Sequence, residues 1–140
     1  MTARPLAPRV LLAVAVGGAL GAVARHLLAE SFPVAGAEFP WTTLGINVAG
    51  SVLLALLAAP SAVRRHRLLP AFLGTGVLGG FTTLSTFSDE ARAMVAAGSV
   101  GLAAIYMVGS VATCLVGVAL ADRFSSPAAR DQFEDEEGDR

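Results

Sequence analysis

Apolar residues fill four long stretches of this chain, and short polar segments separate them. The first runs from Val10 to Ala29, interrupted only by Arg25 and His26. The second opens at Trp41, a residue favoured where a helix enters a bilayer, and ends at Ala59. The third covers residues 68–97, and the fourth runs from Val100 to Ala121. A helix needs roughly 20 apolar residues to cross the hydrocarbon core of a membrane. The third stretch is too long for one simple crossing, so a central break or a steep tilt must absorb the excess. The pattern predicts an all-α integral membrane fold: four transmembrane helices over residues 10–29, 41–59, 68–97 and 100–121, the third interrupted at mid-membrane. Residues 1–9 then form a cytoplasmic N-terminal segment, and residues 124–140 an acidic disordered tail.

The third stretch carries its own reason to break. Gly79 and Gly80 stand side by side, and each weakens a helix by about 1 kcal/mol relative to alanine. Thr82, Thr83, Ser85, Thr86 and Ser88 follow, and hydroxyls compete for backbone hydrogen bonds. Inside a bilayer each freed N–H or C=O needs a partner or water. A break near residues 79–83 is therefore expected to line a cavity or a protein interface. Ala22-Val23-Ala24 matches a small-residue cleavage site, but the apolar run resumes beyond it and three more spans follow. The first stretch reads as a transmembrane helix, not a signal peptide.

Composition agrees with a membrane class. The chain is 54% hydrophobic and 15% charged, against about a quarter charged in soluble domains. All ten basic residues are arginines. Arg4, Arg9, Arg64, Arg65, Arg67, Arg123 and Arg130 fall on one side of a four-span topology, and Arg92 lies near the turn on the other. Positive loops stay in the cytoplasm, so both termini are expected there, in the cell membrane and in one fixed orientation. A net charge of -1 gives no reason to expect a nucleic-acid partner. The lone Cys114 cannot form an internal disulfide.

Polar side chains inside the spans are the candidates for chemistry. Thr43, Asn47 and Ser51 are spaced four apart and share one face of the second helix. Tyr106, Ser110 and Cys114 repeat that spacing on the fourth. The plain reading is interhelical hydrogen bonding, worth roughly 0.6 kcal/mol per bond. Taken together with the hydroxyls of the third span, the stripes describe a narrow path of neutral donors with no buried Asp or Glu on it. Amide N–H and hydroxyl donors suit an anion, and the edges of Phe81 and Phe87 add partial positive charge. Arg25 is either a functional cation within the membrane or a side chain that snorkels to the interface. Asp89 and Glu90 sit at a vestibule mouth or cap the second half of the broken helix. Gly17 with Gly21, Gly76 with Gly80, and Gly109 and Gly117 around Thr113 have the four-residue spacing of close helix packing, within one subunit or between two. No metal-ligand cluster, phosphate loop or nucleophile–base arrangement is present, so no enzyme is expected.

These residues resemble the Fluc/CrcB family of fluoride channels over Val10 to Arg123. The most specific part is Gly79-Gly80-Phe81-Thr82-Thr83-Leu84-Ser85-Thr86-Phe87-Ser88, close to the family's GGxTTFSTFS signature. Gly18 to His26 looks like the first-helix motif, and Ile46-Asn47-Val48-Ala49-Gly50-Ser51 like the second-helix motif. The resemblance implies a passive channel that exports fluoride and gives fluoride resistance. It implies an antiparallel dimer with two narrow pores and a structural Na⁺ at its centre, held by the carbonyls of Gly79 and Thr82. Asn47, Ser85, Thr86, Phe87, Tyr106 and Ser110 would match the fluoride pore, and Arg25 and Glu90 its vestibule. Two positions depart from the pattern. Leu84 stands where the family usually has the first Phe of a pair, and Cys114 replaces a small hydroxyl. An antiparallel homodimer needs a chain that inserts both ways, yet the arginines here are biased. The expected partner is thus a second copy or an oppositely oriented paralogue. The rival readings are a small multidrug-resistance-like exporter, which needs a carboxylate within a span, and a non-conducting membrane partner subunit.

Overall fold

The computed structural model describes residues 7–34, 38–57, 60, 63 and 65–124. Residues 58–59, Arg4, Arg64, Arg130 and the acidic run of the tail lie outside them. Among the described residues the chain is helical throughout, with no strand.

Helix α1 (Pro8–Ser31) starts with proline in its first turn, where a missing N–H costs nothing. It runs without interruption past Ala24 and closes with the Phe32 N–H on the Leu28 carbonyl, just before Pro33. Helix α2 is Trp41–Leu57. The Thr42 hydroxyl donates to the Phe32 carbonyl at 2.8 Å and ties the end of α1 to the start of α2.

Helix α3 begins as a π-helix, Pro70–Leu78, and ends as a short α-helical turn, Gly79–Phe81. The Gly79 N–H reaches back to the Gly74 carbonyl, the wider spacing of the π form. Thr82 and Thr83 are then extended (ψ 157° and 119°). The helical path resumes as α4 (Leu84–Ala96), with Thr83 as its N-cap. At the far end of α4, Gly98 has φ 79°, a left-handed conformation that suits glycine. The Ser99 N–H bonds the Met94 carbonyl and the Gly98 N–H the Val95 carbonyl, so the last carbonyls are satisfied as the chain turns into α5 (Val100–Phe124).

The glycine pair sits differently from the sequence expectation. Gly79 and Gly80 are helical, and the break falls after them, at Thr82–Thr83. A Cβ on Gly80 would run into the Gly18 carbonyl, one on Gly17 into the Phe72 carbonyl and one on Gly21 into the Val77 carbonyl. These glycines let α1 and α3 approach backbone to backbone within one chain. Gly117 likewise meets the Val52 side chain, whereas Gly109 has open space around it.

The pairing of Gly17 with Phe72 and of Gly21 with Val77 makes α1 and α3 run in the same direction. Helix α2 packs along α5, and α4 packs on α5. Their shared core is Ala91, Met94, Ala103 and Tyr106, flanked by Phe39, Leu44, Phe87 and Leu102. Outward faces of α1 and α5 are apolar, with Leu12, Leu20, Val23, Ile105, Val108 and Leu115 exposed.

Candidate functional site

Two extended residues between helices leave backbone groups without helical partners. Asn47 on α2 meets that need at Thr83. Its Nδ2 donates to the Thr83 carbonyl at 3.0 Å, and its Oδ1 accepts from the Thr83 N–H at 2.9 Å. An amide carries two N–H donors, and the Thr83 carbonyl takes one of them. The Thr83 side chain starts α4: its Oγ1 accepts from the Thr86 N–H at 3.1 Å and donates to the Thr86 hydroxyl at 3.0 Å, with the Ser85 hydroxyl at 3.3 Å. The Thr82 hydroxyl donates back to the Leu78 carbonyl.

This junction forms one wall of a groove of about 860 Å³. Asn47, Gly79, Thr82, Phe87 and Ser110 all line it, with Ser51 and Cys114 further along the same two stripes. Ser110 is 4% exposed, and its hydroxyl has no hydrogen-bond partner. Leu84 lines the groove too and is 77% exposed.

Behind Phe87 lies Tyr106, fully buried, with ring centroids 4.9 Å apart. Its hydroxyl donates to Glu90 Oε2 at 2.7 Å, and the Thr43 hydroxyl donates to Glu90 Oε1, also at 2.7 Å. Phe39 meets Tyr106 edge-on at 5.4 Å. The path was expected to carry no buried Asp or Glu; α4 brings the half-buried Glu90 onto the first residue of each stripe. Neither Asp89 nor Glu90 caps α4, because Thr83 does. Asp89 instead pairs with Arg92 at 2.6 Å on the exposed face of α4.

The two phenylalanines named as donors of edge charge are not brought together. Phe87 lines the groove, while Phe81 lines a second cavity, with Phe39, Gly45 and Ile46. Arg25 turns toward α3, its Nε 3.4 Å from the Gly80 carbonyl, a long contact. Among the described residues no group of His, Cys, Asp or Glu could hold a metal ion. The carbonyl oxygens at the end of α3, those of Gly79 and Thr82, are neutral donors of a kind that suits hard ions.

A family model described as CrcB-like protein, Camphor Resistance (CrcB), matches residues 12–121. The chain belongs to the CrcB-like family. It is 41% identical over 131 residues to the fluoride-specific ion channel FluC 2 of Nocardia farcinica, covering 90% of this chain and 94% of that one. It is 48% identical over 104 residues to the fluoride-specific ion channel FluC of Nitrobacter winogradskyi, covering 72% and 82%. It is 46% identical over 110 residues to the FluC of Geobacter sulfurreducens, covering 76% and 89%.

Helices α1 and α5 of this CrcB-like chain are long and apolar enough to cross a membrane. With the family, they make it a membrane protein. Sequence reasoning missed that Thr83 is the hub of the junction and that Glu90 joins Thr43 to Tyr106. The first was within reach, since a threonine three residues ahead of Thr86 fits an N-cap. The second joins residues 47 and 16 positions apart and leaves no local signal.

Proposed function

We propose that this chain forms a passive, fluoride-selective channel that lets fluoride leave the cytoplasm and so gives fluoride resistance. The observation that carries the reading is the convergence of Asn47, Phe87 and Ser110 on one groove, with a buried hydroxyl there that lacks a partner. The relatives named as fluoride-specific channels supply the ion. HF crosses bilayers as a neutral acid and ionises inside, so a passive exit suffices. Fluoride is held by amide N–H, hydroxyl and aromatic-edge donors, and close coordination in a narrow path disfavours chloride. No chemical transformation is involved.

A groove with Asn47 and Ser110 on its wall cannot face lipid cheaply. A second subunit is the natural cover, and the antiparallel dimer is the arrangement we adopt, with the break of the third span at mid-membrane. Gly79 and Thr82, at the end of α3, would hold a structural Na⁺ through their carbonyls, and that ion would fix the junction between subunits. Ser85, Thr86, Tyr106, Arg25 and Glu90 complete the path and its vestibule.

Reconstituted in proteoliposomes with the partner that supports flux, the chain should release fluoride and not chloride, and Asn47→Asp, which places negative charge on the groove wall, should abolish the release. Absence of fluoride flux with any partner would overturn the proposal. The exposed Leu84 favours a second reading, in which this subunit is a non-conducting partner that completes the pore of a paralogue. Flux that appears only with a paralogue, and that survives Asn47→Asp in this chain, would select it.

A further inference from the structure

We infer that Cys114 is a modification site at which thiol chemistry closes the groove. The inference rests on reading the groove as the fluoride path.

Cys114 is the chain's lone cysteine, a free and half-buried thiol in the wall of the groove. It stands one helical turn from Ser110, on the same face of α5. Ser110 is the independent marker of what passes there. Its hydroxyl is buried without a partner, which costs about 1–3 kcal/mol unless a polar visitor satisfies it. Ser110 and Cys114 both line the groove, so this unpartnered hydroxyl lies in the same wall as the thiol. A group attached to the sulfur would stand in the groove wall that Ser110 and Leu115 of α5 and Ser51 of α2 also line. A serine or threonine in this place would be inert to the same reagents.

The reaction is thiol–disulfide exchange with a low-molecular-weight disulfide or thiosulfonate. The Cys114 sulfur, after its proton passes to solvent, attacks one sulfur of the reagent. The reagent's S–S bond breaks and a new S–S bond to Cys114 forms. The other half leaves as a thiol or, from methyl methanethiosulfonate, as methanesulfinate. Cys114 is oxidised and the reagent reduced, and a reducing dithiol reverses the step. The smallest product adds an S–CH₃ group to the wall, and a path that selects fluoride by close donor contact has no room for it.

The test uses the full chain in proteoliposomes, with the partner that supports flux, and methyl methanethiosulfonate as the probe. Intact mass reports the adduct, and a fluoride electrode reports efflux. One adduct should form on the native chain and none on Cys114→Ser. Efflux through the native chain should fall about tenfold or more as the adduct completes, and recover with dithiothreitol, as blocking a narrow filter requires. Efflux through Cys114→Ser, whatever its starting rate, should not respond to the reagent. A complete adduct with unchanged efflux would overturn the inference and leave the channel reading standing. So would a thiol that labels only after unfolding in detergent. Absence of efflux before any reagent, with every partner tried, would sink the channel reading and this inference with it.

Discussion

At Asn47 and Thr83 one side chain stands in for a missing stretch of helix. Asn47→Ala would leave both the N–H and the C=O of Thr83 without their partner, at about 1–3 kcal/mol for each buried group. Thermal unfolding in detergent should therefore show a clear loss of stability. Asn47→Asp keeps the acceptor for the Thr83 N–H and should lose less stability, yet fluoride efflux should fall as far or further. A variant that is more stable than Asn47→Ala but no more conductive separates the structural role of Asn47 from its role in the path. Glu90 offers a second residue-level test. Both of its oxygens accept from hydroxyls, so Glu90→Gln leaves one of the two donors without an acceptor, at a cost of about 1 kcal/mol. Tyr106→Phe removes one of those donors. The double variant should be more stable than the sum of the single losses by about 0.5–3 kcal/mol, the range for residues in one network. Additive losses would mean that Tyr106 and Glu90 do not share a bond in the membrane. The polar character of Asn47, Tyr106 and Ser110 was legible in the chain, because four-residue spacing puts such residues on one helix face. The partners of Asn47 and Tyr106 were not, because Asn47 meets Thr83, and Thr43, Glu90 and Tyr106 meet, only after the helices have packed.

Among the elements, the pairing of α1 with α3 turns on the glycines whose four-residue spacing predicted close helix packing, Gly17 with Gly21 and Gly76 with Gly80. Gly79 and Gly80 read as helix weakeners, yet both are helical, and Gly80 touches the Gly18 backbone. The extended pair is Thr82–Thr83, where β-branched side chains with hydroxyls find a cap and an asparagine. Propensity located the weak region to within a few residues, and tertiary contacts chose the residue. The π-helical winding of Pro70–Leu78 had no signal in the apolar pattern, since both helix types bury the same composition. The long apolar runs, the proline and glycine punctuation and the turn at Gly98 were all readable, because each depends on a few neighbouring residues. The glycine contacts make a sharp pair of predictions. Gly21→Ala drives a methyl group into the Val77 carbonyl and the Phe81 N–H, both backbone, so α1 and α3 must separate. Overpacking of this kind costs about 1–3 kcal/mol, and the unfolding temperature in detergent should drop. Gly109→Ala meets nothing within the chain and should leave monomer stability level or raise it by up to about 1 kcal/mol through helix propensity. Equal losses at both sites would place Gly109 against a neighbour outside this chain.

The molecule as a whole has a charged end and a quiet end. Because α1 runs alongside α3 and Gly117 of α5 meets Val52 of α2, the start of α1, the start of α3 and the ends of α2 and α5 share one end. Arg9, Arg65, Arg67 and Arg123 cluster there and are exposed. At the other end Arg92 is paired with Asp89, and Glu30 and Glu38 are exposed nearby. Lys and Arg bias in short loops sets orientation, and four arginines against one paired arginine is a strong bias. The chain should insert one way, with the arginine end in the cytoplasm. A reporter fused after residue 124 should read cytoplasmic in every copy. A second subunit lying antiparallel across the groove would need the opposite orientation, which this chain cannot supply to itself. Two differently tagged copies expressed together should therefore fail to co-purify as a conducting pair. Adding a paralogue with the reverse arginine bias should restore both co-purification and fluoride efflux. Substituting Arg65 and Arg67 and adding arginines beside Glu38 should turn a fraction of the copies over, and tagged copies should then pair with each other. Conducting antiparallel dimers built from the unaltered chain alone would show that the arginine end does not hold the orientation. The partner at the groove would then be a second copy of the chain itself.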